Sequence, residues 1–237
     1  MLTRVAGLSV QWIRRQEGIV LFTALLVVVA VYGFAKLSAE MREGDSKAFD
    51  EWVLRSLRDP GDPARPIGPP WVREAALELT VLGGRTVLVV VLLLTLGYLA
   101  LDHKYGAMAF IVAAATGGGI LSLGMKELFA RQRPEIVPHL VSALSPSFPS
   151  GHSMVAVVIY LALGALLARF AARRRLRAYC VGAALLLSFL VGVTRVYVGV
   201  HYPTDVLAGW AAGLAWALVC WLVARYFQYR GRVTPRN

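Results

Sequence analysis

Six apolar stretches, residues 19–38, 84–101, 107–125, 152–168, 178–194 and 206–224, each approach the about 20 residues that a helix needs to cross a bilayer. In water, each would have to be covered on every side by other protein. The composition agrees with lipid instead: 57% of the 237 residues are apolar, 16% are charged, and the mean hydropathy is +0.61. The expected architecture is all-α, a polytopic membrane protein of six transmembrane helices.

A net charge of +11 raises the question of a nucleic-acid partner, and the placement of the charges answers it. With the N-terminus in the cytoplasm, the inner segments hold thirteen basic residues: Arg4, Arg14, Arg15, Lys104, five between Arg169 and Arg177, and Arg225, Arg230, Arg232 and Arg236. Only Glu17 and Asp102 oppose them, whereas segment 39–83 carries nine acidic and six basic residues. This is the positive-inside pattern. It predicts both termini in the cytoplasm and no nucleic acid. The lipid bilayer is the expected partner, its anionic headgroups a second use for the basic residues.

Residues 1–35 mimic a signal peptide, with Arg14 and Arg15 ahead of an apolar stretch. That stretch exceeds the about 7–15 residues of a signal core, and no clear small-x-small cleavage site follows, so it reads as a retained first span. Cys180 and Cys220 fall in apolar stretches near the expected cytoplasmic ends, where no disulfide is expected.

Four regions follow: 1–38, an N-terminal cytoplasmic segment and first span; 39–83, an extracytoplasmic cap; 84–225, a core of five spans; and 226–237, a basic cytoplasmic tail. Within the cap, DPGDPARPIGPP (59–70) cannot continue a helix. The flanking SKAFDEWVLRSL and PPWVREAALELTVL have the pattern of short amphipathic helices lying along the membrane surface. Gly117, Gly118 and Gly119, and the pair Gly209 and Gly213, are expected to let helices pack closely.

Three polar clusters stand at the outer ends of the third to sixth spans. In KELFARQRP, Lys126 and Arg133 are seven residues apart, so on a continuing helix both would point the same way before Pro134 ends the run. The second cluster is PSGH, Pro149 to His152, and the third is TRVYVGVHYPTD, with Arg195, His201 and Asp205. Singly, each has a structural explanation: cations that snorkel to the interface, Ser150 as a helix N-cap, Asp205 favouring a helix N-terminus. Together, two histidines, a carboxylate and three permanent cations at one membrane face are costly without an anionic ligand.

The set has the parts of a phosphoryl-transfer site. Cations can bind the equatorial oxygens, with help from the free N–H groups where the fourth span begins at Ser150 and Gly151. One histidine can attack phosphorus while the other protonates the departing oxygen. Asp205, four residues past His201, can hold that ring in the tautomer that frees the attacking nitrogen.

Lys126-x6-Arg133-Pro134, then Pro149-Ser150-Gly151-His152, then Arg195-x5-His201-x3-Asp205 resembles, in order and spacing, the three-part signature of the type-2 phosphatidic acid phosphatase superfamily. The resemblance covers roughly residues 80–225. Thr194 departs from the serine usual before the arginine, and keeps the hydroxyl. The resemblance implies that His201 is the nucleophile forming a phosphohistidine, that Asp205 orients it, and that His152 is the general acid and later the base. Lys126, Arg133 and Arg195, with Ser150 and the amide of Gly151, become the phosphate cradle. It further implies no metal and no cofactor, and a membrane lipid phosphate as substrate: phosphatidylglycerol phosphate, phosphatidic acid, undecaprenyl diphosphate or a lipid A phosphate.

Other readings compete. An intramembrane serine protease built on Ser150 or Ser153 has no need for three cations. A metal site from His139, His152, His201 and Asp205 would sit in a positive field that repels a divalent cation. A transporter for phosphate or anionic lipid would not require an oriented nucleophile beside its cations. The haloperoxidases of the same superfamily are soluble, unlike this chain.

Overall fold

The computed structural model describes residues 2–233, with side chains described from Glu17 to Gln228. The basic side chains of Arg4, Arg14, Arg15, Arg230, Arg232 and Arg236, used in the topology argument, lie outside that range. In order, the elements are α1 (Leu2–Glu43), α2 (Lys47–Ser56), β1 (Arg58–Asp59), β2 (Asp62–Pro66), α3 (Pro70–Val81), α4 (Arg85–Leu101), α5 (Tyr105–Phe129), α6 (Gly151–Phe170), α7 (Arg174–Tyr197) and α8 (Pro203–Val233).

Five helices are long and apolar enough to cross a membrane alone: Glu17–Glu43 within α1, then α5, α6, α7 and Pro203–Gln228 within α8. The second expected span differs. Helix α4 has 17 residues and meets α3 at 50°; by length and composition the number of spans is five, or six where this bent pair is counted as one. The break follows from Gly83 and Gly84. Gly84 takes an extended conformation (φ −69°, ψ 143°) that ends helical hydrogen bonding. Gly83 lies so close to Val191 of α7 that a Cβ would overlap it. The chain therefore bends where it is pinned to a neighbour.

The proline-rich stretch also has a defined form. β1 and β2 pair antiparallel, Arg58 opposite Pro66 and Asp59 opposite Asp62. Aspartate side chains close the turn, Asp59 accepting from the Gly61 N–H at 2.8 Å and Asp62 from the Ala64 N–H at 3.0 Å. A two-stranded ribbon demands few ladder bonds, so proline is tolerated in it.

Helix α6 is the centre of the bundle and packs against α5, α7 and α8, while α1 lies along α8. Lipid does not drive helices together as water does, so close van der Waals contact has to. Small residues supply it. A Cβ at Gly209 would stand 2.7 Å from the Ser150 carbonyl oxygen, and one at Gly213 2.6 Å from that of Met154. Gly117 and Gly118 leave a notch for the Trp216 indole, whose Nε1 donates to the Ala114 carbonyl at 2.9 Å. Gly119 faces open space and takes no part. The expected close packing thus holds for four of these five glycines. Apolar side chains such as Leu21, Phe22, Leu94, Ile120 and Leu123 remain exposed on the flanks, as lipid-facing residues are.

The C-terminal ends of α5 and α7 and the N-terminal ends of α6 and α8 meet at one end of the bundle. There α2 and the loops form a small core around Leu54, Val137, Val196 and Val206.

Candidate active site

The first cluster is not a continuing helix. Helix α5 stops at Phe129 because Ala130 turns left-handed (φ 46°), and residues 131–149 run without regular structure. The helical register proposed for Lys126 and Arg133 is therefore corrected. They converge by another route: Lys126 Nζ and Arg133 Nη2 both donate to Ser145 Oγ at 3.3 Å. Lys126 also donates to the Pro146 carbonyl, and Arg133 Nε to that of Ser145 at 2.7 Å. The loop is held from within, Ser147 N–H donating to the Arg131 carbonyl at 2.8 Å and Ser147 Oγ to that of Gln132 at 2.9 Å. Phe148, fully buried, packs against Phe129 and Phe34 with ring centroids 4.9 and 6.0 Å apart.

At the start of α6, Ser150 is the N-cap. Its oxygen accepts from the Ser153 N–H at 3.5 Å and from Ser153 Oγ at 2.9 Å, and its own N–H donates to the Asp205 carbonyl at 2.9 Å. The capping role is observed, and neither serine is paired with a histidine. Gly151 passes beside Lys126: a Cβ there would lie 3.1 Å from Lys126 Cε and 3.2 Å from Ser122 Oγ. Glycine is thus what lets the lysine reach past the helix, whose first N–H groups have no intrahelical acceptor.

The third cluster turns on Gly199 (φ 82°), a left-handed position that suits glycine. It is followed by His201, which is buried, with Nδ1 3.4 Å from Asp205 Oδ2. Arg133 Nη1 lies 3.3 Å from His201 Nε2 and donates to the Val200 carbonyl at 2.6 Å. An arginine can only donate, so Nε2 is the unprotonated nitrogen and Nδ1–H points to Asp205. Burial, the largest influence, pushes His201 down to about 4, against the pull of Asp205 and with Arg133 and Arg195 adding to the fall. At neutral pH the ring is uncharged, with its Nε2 lone pair available.

Asp205 is fully used. Oδ2 accepts from the Tyr202 N–H at 2.9 Å, and Oδ1 from Arg131 Nη1 at 2.6 Å. Arg131 extends the network: Nη1 donates to Thr204 Oγ1 at 2.9 Å and Nη2 to Asp50 Oδ2 at 2.8 Å. Burial opposes the Arg131 charge, but Asp205 and Asp50 outweigh it and hold the guanidinium more firmly protonated than usual. For Arg133, burial prevails over the attraction of Asp205, and the shift is downward.

Arg195 is buried and faces another way, Nη1 donating to Thr80 Oγ1 of α3 at 3.0 Å while Nε has no partner. Arg195 and His152 line a cavity of about 280 Å³ whose wall includes Thr80 and Gly84 at the α3–α4 bend and Ser142 of the loop. His152 lies within electrostatic reach of Arg195, His201, Lys126 and Arg133, which ties the cavity to the other clusters. His139 is not gathered with them; its Nε2 donates to the Pro134 carbonyl at 2.6 Å. Among the described residues, no group of three or more His, Cys, Asp or Glu is placed to hold a metal ion.

Sequence reasoning missed Ser145, Thr80, Arg131 and Asp50. The last had a legible signal: Asp50 and Leu54 are one helical turn apart and share the buried face of α2. A carboxylate on that face calls for a buried partner.

The bundle and the polar end just described are those of a membrane phosphatase family. The chain belongs to the PAP2 superfamily, whose model matches residues 105–229. It is 32% identical to phosphatidylglycerophosphatase B of Bacillus subtilis over 152 residues, 62% of this chain and 73% of the relative. Identity to a lipid A 1-phosphatase of Rhizobium etli is 32% over 114 residues, 44% of this chain and 45% of that one. Among solved structures, the transmembrane PAP2 type phosphatidylglycerolphosphate phosphatase from Bacillus subtilis superposes with a TM-score of 0.75 at 26% identity, covering 86% of this chain and 96% of that one.

Proposed function

We propose that this phosphatase removes a terminal phosphate from a membrane lipid, with His201 as nucleophile. The observation that carries the reading is the arrangement around that ring: Nε2 unprotonated beside Arg133, Nδ1–H directed to Asp205, and Lys126 joined to Arg133 through Ser145. The Nε2 lone pair attacks phosphorus as the bond from phosphorus to the lipid oxygen breaks, and His152 gives that oxygen its proton. His152 then takes a proton from water, whose oxygen attacks the phosphohistidine, releasing phosphate and restoring His201. Lys126, Arg133 and Arg195, with Ser150 and the Gly151 amide, balance charge on the transferring group. The anionic phosphate itself favours a proton on His152. The cavity beside the α3–α4 bend suits a headgroup whose tail stays in the bilayer.

The names of the relatives point to phosphatidylglycerol phosphate and lipid A 1-phosphate, and phosphatidic acid and undecaprenyl diphosphate share the required chemistry. Purified protein is expected to release phosphate from at least one of these four lipids, with EDTA leaving the rate unchanged and vanadate blocking it as a five-coordinate mimic of the transferring group. No release from any of them, or an EDTA loss reversed by magnesium or zinc, would contradict the proposal.

The site is further proposed to face the outside of a bacterial inner membrane, with both termini cytoplasmic and segment 39–83 as the outer cap. The charge asymmetry of the sequence supports this. In a variant lacking Cys180 and Cys220, a cysteine at the exposed Ser142 should react with an impermeant thiol reagent added to intact cells, and one at the exposed Arg174 should not. The reverse pattern would put the site in the cytoplasm.

A further inference from the structure

We propose that Asp50 of helix α2 is a positioning residue for the His201–Asp205 pair, acting through Arg131. The inference rests on the reading of His201 as nucleophile and goes beyond it, since Asp50 lies outside the region matched by the family model.

Asp50 has no exposed surface. Its Oδ1 accepts from the Thr204 N–H at 3.0 Å, and its Oδ2 from Thr204 Oγ1 at 2.6 Å and Arg131 Nη2 at 2.8 Å. One guanidinium thus bridges two buried carboxylates, Nη1 reaching Asp205 Oδ1 while its plane lies over the Tyr202 ring, 4.1 Å from the centroid. For stability alone the second carboxylate is an expense, because Arg131 and Asp205 already make a neutral pair and another buried charge costs solvation.

The geometry gives it a use. Arginine favours a two-armed fork on a carboxylate. With both arms on Asp205, Arg131 would occupy Oδ2, the oxygen that faces His201 Nδ1. Asp50 engages the second arm, so Arg131 touches Oδ1 only and Oδ2 is left to His201 and the Tyr202 N–H. The cap helix thereby sets how much of Asp205 reaches the nucleophile. Neither Asp50 nor Arg131 lines the cavity beside His152 and Arg195, so the contact is expected to act on turnover rather than on binding.

The test uses the full-length protein in mixed micelles of detergent and a short-chain phosphatidic acid, reading kcat, KM and the burst of phosphoryl-enzyme formation. Asp50→Asn keeps an acceptor for the Thr204 N–H but holds Arg131 weakly. It is expected to lower kcat and the burst rate by about tenfold to a hundredfold, the scale of a small misplacement of a catalytic group, with KM little changed. Adding Arg131→Gln removes the competing fork and should recover part of the lost kcat, a rescue that a merely structural Asp50 does not predict. Asp50→Asn within about threefold of wild-type kcat, or a double variant no better than the single one, overturns the proposal. Should Asp50→Asn fail to elute as a folded species, Thr204→Val, which removes one donor to Asp50 and one acceptor from Arg131, and so loosens the same Asp50–Arg131 link from both sides, decides: a several-fold fall in kcat at unchanged KM supports the inference, and unchanged kcat overturns it. His201→Gln is run alongside. Activity surviving in it refutes the nucleophile reading, whereas an inactive His201→Gln beside an unaffected Asp50→Asn refutes the positioning role alone.

Discussion

Replacing His201 by glutamine is expected to abolish phosphate release, with a fall of roughly four orders of magnitude or more, the scale on which nucleophile and orienting residues act when they work as a unit. Glutamine fills a similar volume, and its amide can accept from Arg133 and donate toward Asp205. It has no lone pair able to attack phosphorus, so the fold should survive where the chemistry does not. The second readout is covalent: brief exposure to phosphorus-32-labelled lipid should label wild-type protein through an acid-labile phosphohistidine and leave His201→Gln unlabelled. Near-normal turnover in the variant would remove His201 from the role.

The next largest effect is expected at Arg195. Its guanidinium is fixed on one side by Thr80 Oγ1, while its Nε has no partner within the protein. Arg195→Lys keeps the charge but gives up the planar fork and the fixed point on α3. Turnover should fall about a hundredfold, the cost of removing one donor that acts in the transition state, with apparent affinity changing less. Thr80→Val should produce a smaller change in the same direction, because the arginine keeps its charge and loses only its tether. If Arg195→Lys retains turnover while Arg195→Ala fails to assemble in the membrane, Arg195 is a structural anchor instead.

How far the sequence could be read depended on the range of each interaction. The spans were visible because lipid imposes a continuous apolar length, and Gly209 and Gly213 were visible because helix contact repeats every turn. The His201–Asp205 pairing was visible as well, because only four residues of chain separate the two. The break at Gly83 and Gly84 was not. Two glycines inside an apolar run carry no sign that Val191, more than a hundred positions away, presses on the chain there. The convergence of Lys126 and Arg133 was expected for an incorrect reason. Ala130 has no local signal for a left-handed turn, and the loop that recovers the convergence is ordered by Ser145 and Ser147 through contacts 12 to 19 residues apart. Asp50 and Arg131 lie 81 positions apart, beyond any periodic pattern.

The burial of Phe148 between Phe34 and Phe129 bears on what counts as the smallest working unit of this enzyme. Phe34 belongs to α1, which the family model does not cover, yet its ring supports the residue two positions before Ser150. Arg42, two helical turns further on, lies over Phe129 at 4.7 Å. A shortened protein beginning at residue 105 would keep His152, His201 and every proposed cradle residue and lose part of the aromatic wedge that seats the loop carrying Arg133 and leading into Ser150. The first helix is a buttress for the catalytic loop as much as a membrane anchor, and the autonomous module is larger than the motif-bearing region.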